Sequence, residues 1–213
     1  MQKSTCVAFV ALSSVASTAG AGVLTYSDRT LVAGISNGVT ADQVVDTSFD
    51  PWFGSKYGTG PGLVQFAGIG SSLFDNEFTI SANAALSVTS PGYGGYAAYS
   101  NFTLNFTLIE ESFVTFFLDM GAASPDGAVL VLECTGQTGT IFSHVESVEA
   151  NFTRTLAAGT YSMFGSINLV APSDVNVLNS GLVSVAANAV AVPAPAVVAV
   201  FGAFGLLGSR RRR

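Results

Sequence analysis

Charge is scarce in this chain. Only 10% of its 213 residues are Asp, Glu, Lys or Arg, too few for a charge-rich disordered polypeptide or a coiled coil. Histidine occurs once and cysteine twice, which leaves little for a zinc site or a disulfide framework. Internal repeats, charge runs and long amphipathic helical patterns are missing as well. Basic residues are absent where a nucleic-acid surface would need them. Five of the eight lie in the terminal segments, so only Arg29, Lys56 and Arg154 face fourteen acids in the body, for a net charge of −11. Phosphate binding needs the opposite sign, and nucleic acid is excluded as a partner. What is abundant is apolar and small: 49% hydrophobic residues, 16 Phe and 23 Gly, the make-up of an exported β-protein with one ordinary-sized core.

The ends differ from the body. Residues 1–21 read as a secretory signal peptide, with Lys3 as the positive n-region, Cys6 to Leu12 as the apolar stretch, and Ala19 and Ala21 as the small residues of the cleavage site. A buried first helix is the alternative, and Gly20 and Gly22 would break it. Cleavage removes Cys6 and leaves Cys134 without an intramolecular partner; its apolar setting, AVLVLEC, reads as a small core residue and not as a nucleophile.

At the other end, residues 191–213 combine Pro193-Ala194-Pro195, an uncharged apolar run, and Arg210, Arg211, Arg212 and Arg213. Read as a short hydrophobic helix, Ala194 to Gly208 gives 15 residues. At about 1.5 Å per residue that is roughly 22 Å, short of the ~30 Å hydrocarbon core, so the anchor is marginal. The arginines favour the cytoplasmic side and leave the body outside. This order of elements resembles the PEP-CTERM sorting signal of bacterial exported proteins, over about the last 22 residues. Ala194 stands where that family has a glutamate. The resemblance implies general secretion, transient retention in the inner membrane, processing near the prolines by an exosortase-type enzyme, and association with exopolysaccharide production. A C-terminal anchor that is never processed satisfies the same physics.

Between the ends, period two dominates. Asn101 to Leu108 (NFTLNFTL) places Phe102, Leu104, Phe106 and Leu108 on one face and Asn or Thr on the other, the mark of a half-buried strand. Phe113 to Leu118, Ala128 to Leu132, Phe152 to Leu156 and Tyr161 to Phe164 read as further strands, with weaker ones at Phe78 to Ile80, Leu86 to Val88 and Leu182 to Val192. Ser124-Pro125-Asp126-Gly127 reads as a turn, and Asp50 to Gly70, dense in Gly and Pro, as a long loop. The expected fold is all-β, one antiparallel β-sandwich of the jelly-roll kind over residues 22–190, with a closed barrel second.

Candidate chemistry is thin, and no enzyme, cofactor or metal is expected. His144 and Glu146 share a strand face but lack a nucleophile to serve. Glu110 and Glu111 are adjacent, so a strand would part them, and they make no glycosidase pair. Asp42, Asp46 and Asp50, or Asp119 and Asp126, could hold calcium but match no EF-hand spacing and read as solvated acids. Gly58, Gly60 and Gly62 precede no helix pattern and make no phosphate cradle. The Asn-Phe-Thr triplets at Asn101, Asn105 and Asn151 follow from strand patterning. Loop aromatics are the one ligand signal: Trp52, Tyr57, Tyr93 and Tyr96 could stack on sugar rings or close the ends of the sandwich. The expected role is a structural or interaction component of the cell envelope or extracellular matrix. A secreted carbohydrate-binding module is the alternative, and a hydrolase ranks third.

Overall fold

The computed structural model describes residues 22–89, 95–123, 128–145, 147–171 and 176–193. Residues 1–21 and 194–213 lie outside these, and with them the leader, Ala19, Ala21, Ala194, Pro195 and the four terminal arginines. Tyr93, Asp126 and Glu146 also lie outside them, as does the Ser124 to Gly127 turn. Pro193 is the last described residue and is exposed.

The described residues form twelve strands: β1 (Leu24–Ser36), β2 (Ala41–Asp46), β3 (Trp52–Gly60), β4 (Leu63–Phe74), β5 (Glu77–Val88), β6 (Ala97–Leu108), β7 (Ser112–Ala122), β8 (Ala128–Gly136), β9 (Gly139–His144), β10 (Val148–Leu156), β11 (Gly159–Val170) and β12 (Val177–Ala191). Every pairing is antiparallel. One sheet has the order β2-β1-β6-β11-β8-β9 and the other β10-β7-β12-β5-β4-β3, making a sandwich. Within it, β5-β12-β7-β10 faces β6-β11-β8-β9, the strand order of an eight-stranded jelly roll. The first four strands extend both sheets on the same side, β1 and β2 beyond β6, β3 and β4 beyond β5.

Period two explains most of the core. In β6 the four apolar residues of NFTLNFTL are buried while the Asn and Thr side chains face out half-buried. Facing them are Phe78, Ile80, Ala82 and Ala84 of β5, while Val183 and Val185 of β12 are buried beside these, against β11 and β8. Aromatic rings tie the layers together, Phe78 to Phe106 at 5.4 Å and Phe116 to Phe142 at 5.2 Å between centroids. Such pairs add about 0.5–1.5 kcal/mol each beyond the area they bury.

The expected loop from Asp50 to Gly70 is instead β3, a tight turn and the first part of β4. Its glycines are side-chain vacancies in a strand, because a Cβ on Gly54 would come within 2.1 Å of the Trp52 ring and one on Gly58 within 2.7 Å of Ile35 Cδ1. The turn itself uses Pro61 and Gly62, with Gly62 at φ 73°, where a side chain is strained. A β-bulge in β1 between Tyr26 and Asp28 shifts which residues face inward. Leu24 and half-buried Tyr26 face the interior before it, and Arg29, Leu31 and Ala33 after it.

Candidate functional site

Strand parity separates the expected sugar-stacking residues. Trp52 and Tyr57 are five residues apart on β3, so they face opposite sides of the sheet. Trp52 is half-buried and packs against the core. Tyr57 projects outward, 65% exposed, on the same face as Phe53, which is 67% exposed. Tyr96 lies half-buried just before β6.

That outward face holds a shallow trough of about 260 Å³, lined by Phe53 of β3, Gly70, Ser71 and Ser72 of β4, and Thr79, Ser81 and Asn83 of β5. Register places them side by side: Phe53 opposite Gly70, Gly70 opposite Ser81, Gly68 opposite Asn83, and Ser72 opposite Thr79. Gly70 leaves the floor low, while over Gly68 the Asn83 amide and the Phe66 ring fold in, within 2.6 and 2.9 Å of where a Cβ would stand. A Cβ on Gly70 would stand 3.1 Å from Phe53 Cδ2, so the Phe53 ring leans across the glycine against the sheet. From the interior, the Ser100 hydroxyl lies 3.2 Å from Gly68 O and 2.9 Å from Asn83 O and pins the floor. Within the described residues, the Ser72, Thr79, Ser81 and Asn83 side chains make no hydrogen bond, which leaves hydroxyl and amide groups open to a ligand. Phe53 falls within the stretch Asp50 to Gly70 that was expected to be a loop. Without β4 and β5 in register, nothing pointed to Ser72, Thr79, Ser81 or Asn83.

The acids weighed for calcium go elsewhere. Asp46 pairs with Arg29, and Asp42 lies 2.6 Å from Lys56 Nζ. Asp50 contributes its backbone carbonyl, which accepts from Arg29 Nη1 at 3.1 Å. Among the described residues no group of three or more His, Cys, Asp or Glu gathers as a metal would require. Arg29 is fully buried; its Nη1 also donates to Ser71 Oγ and its Nη2 to Ser48 Oγ, while Nε–H has no partner among the described residues. This cluster joins β1, the β2–β3 connection and β4, directly behind the trough.

Cys134 is fully buried on β8, and burial, with the Glu133 carboxylate adding to it, pushes its thiol up to about 12. A thiol so protonated is no nucleophile at neutral pH. His144 ends β9 and stacks on Phe142, 6.1 Å between centroids. Glu110 and Glu111 are exposed in the β6–β7 connection, their backbone carbonyls accepting from Ser112 Oγ and Val192 N. A second hollow of about 240 Å³ lies between the β8–β9 turn and the β10–β11 turn. Tyr161, at its edge, spends its hydroxyl on Ala157 O at 2.9 Å.

No family model and no curated protein sequence matches the chain. Among solved structures, a GH31 alpha-xylosidase from Xanthomonas citri aligns at 9% identity and TM-score 0.24 over 78% of this chain and 28% of the enzyme. A structure of infectious bursal disease virus, Gx strain, aligns at 9% identity and TM-score 0.23 over 82% of this chain and 54% of that one. The chain thus spans under a third of the first and about half of the second. Both likenesses are too remote to bear on the fold, which rests on the strand order above.

Proposed function

We propose that this protein is exported by its N-terminal signal peptide, sorted by a PEP-CTERM-like tail, and serves the cell envelope or extracellular matrix as a structural, interaction-bearing sandwich. The supporting observation is the outer face of the β6–β11 pair. Thr107, Asn105 and Asn101 of β6 stand opposite Thr160, Ser162 and Ser166 of β11, with Thr107 and Thr160 hydroxyls 3.2 Å apart and Ser166 donating to Asn101 at 2.7 Å. An uncharged lattice of short hydrogen-bonding side chains suits broad, reversible contact with hydrated polymer, where water and sugar hydroxyls exchange at little cost. Turnover would instead call for a convergent acid, base or nucleophile. The terminal segments supply the route: signal peptidase acting after Ala21, transient inner-membrane anchoring by residues 194–213, and an exosortase-type enzyme near Pro193 and Pro195.

Intact-mass spectrometry of membrane and medium fractions tests both cleavages. The expected exported species begins at Gly22 and lacks Arg210 to Arg213, and replacing those arginines with neutral residues should weaken retention during export. A chain still starting at Met1 and confined to the cytoplasm would overturn the reading.

A further inference from the structure

We propose that the trough on the outer face of β3, β4 and β5 is a binding site for a neutral polysaccharide chain. This rests on the envelope or matrix role above and names the chemistry of the partner.

Three observations carry it. The first is an aromatic platform: Phe53 is mostly exposed and leans across Gly70, so its ring is held low against the sheet and open to the apolar C–H face of a sugar. The second is the row of unpaired donors and acceptors beside it. Strands lie about 4.8 Å apart, which puts Ser81 about 9.6 Å across the sheet from the Phe53 backbone, with Asn83 one step along β5. A ring resting on Phe53 and Gly70 therefore turns its edge hydroxyls toward Ser72, Thr79, Ser81 and Asn83. Hydroxyls both donate and accept, and the Asn83 amide does both in fixed geometry, which matches vicinal diols.

The third observation is charge. No Asp, Glu, Lys or Arg lines the trough. The body around it carries −11, which repels uronic-acid or sulfated polymers and leaves neutral ones. A chain is favoured over a single sugar because Tyr57 presents a second exposed ring on the same face of β3. It stands four residues from Phe53, about 14 Å along the strand. The floor between them is rigid before any ligand arrives, since Ser100 holds Gly68 and Asn83 from inside and Arg29 holds Ser71. Preorganised sites spend less binding energy on ordering.

The test uses the full chain, purified in mild detergent and run by affinity electrophoresis through gels containing hydroxyethyl cellulose, dextran, galactomannan or alginate. Retardation is expected in at least one of the three neutral gels and not in alginate. Phe53→Ala and Asn83→Ala should each weaken it tenfold or more. Phe113→Ala, an exposed ring on β7, two strands beyond β5 and away from the trough, should leave it unchanged. Far-UV circular dichroism and melting of each variant confirm that they fold, which exposed positions should allow. No retardation in any neutral gel overturns the site, as does full retention by Phe53→Ala or stronger retardation in alginate. Sedimentation that shows concentration-dependent association abolished by Phe53→Ala would also overturn it, assigning the face to a second copy of the chain. Binding by a chain that cells do not export would refute the export reading alone, and export without binding would refute the trough alone.

Discussion

Removing Asp46 should destabilise the protein more than removing Arg29, although the two form one ion pair. Arg29 is fully buried, whereas the Asp46 side chain keeps 15% of its surface in water. In Asp46→Ala the guanidinium stays in the interior with only neutral partners, Ser48, Ser71 and the Asp50 carbonyl. Leaving a buried charge without its counterion costs about 3–5 kcal/mol. In Arg29→Met the apolar stem is largely preserved and the orphaned Nε–H disappears. The remaining carboxylate has water on one side and accepts from Ser48 Oγ at 3.0 Å, so the cost falls to about 1–2 kcal/mol, near that of a lost charged hydrogen bond. Urea unfolding followed by the fluorescence of Trp52, the sole tryptophan, reads both. With a slope near 2 kcal/mol per molar urea, Asp46→Ala should lower the midpoint by about 2 M and Arg29→Met by about 1 M or less. The double variant should be milder than the sum of the singles. An Asp46→Ala midpoint at or above that of Arg29→Met would refute the claim that burial asymmetry governs this pair.

Alkaline pH should erode stability through Cys134. Its thiol ordinarily titrates at 9.0 but holds its proton to about 12 in the fold, so above 9.0 the unfolded chain binds fewer protons and stability falls as pH rises. The Cys134 contribution to the slope approaches about 1.4 kcal/mol per pH unit and is absent below that onset, so the fall between pH 8 and 10.5 should be smaller in Cys134→Ala than in the parent. Tyr26, raised chiefly by burial, persists in both proteins and cancels in the comparison, whereas Tyr161, raised by burial and then by Cys134 beside it, loses that second contribution together with the thiol. Gly165→Ala should lower the melting temperature sharply, because the new Cβ would stand 2.2 Å from the Phe102 ring, which is locked in the core. Gly121→Ala, whose Cβ meets nothing closer than Ser147 Oγ at 3.8 Å, should be neutral or slightly stabilising by calorimetry. Equal melting of the two variants would refute the packing argument.

Fold class was legible in the residues because period two needs no tertiary information. NFTLNFTL declares its buried face by alternation alone, and β6 buries those four side chains. Beyond such runs, legibility failed for identifiable reasons. The β1 pattern is broken by the bulge between Tyr26 and Asp28, which turns a charged Arg29 inward, and alternation cannot anticipate a shift of parity. The Asn37-Gly38 pair between β1 and β2 was an available turn signal, and Asn37 Oδ1 does accept from the Thr40 N–H at 2.7 Å. The glycines of β3 and the prolines that flank it, Pro51 and Pro61, imitate a loop, since the room those glycines leave for Trp52 and Ile35 exists only once the sheets are packed. The trough needed still more. Phe53, Gly70, Ser81 and Asn83 are spread over three strands, and only register brings them together. Composition and periodicity by themselves determined a low-charge, antiparallel sandwich, because those are properties of a strand and its two faces. Which aromatic meets solvent and which hydroxyls lie beside it was decided by the tertiary structure, because strand parity and inter-strand register are set by packing between sheets.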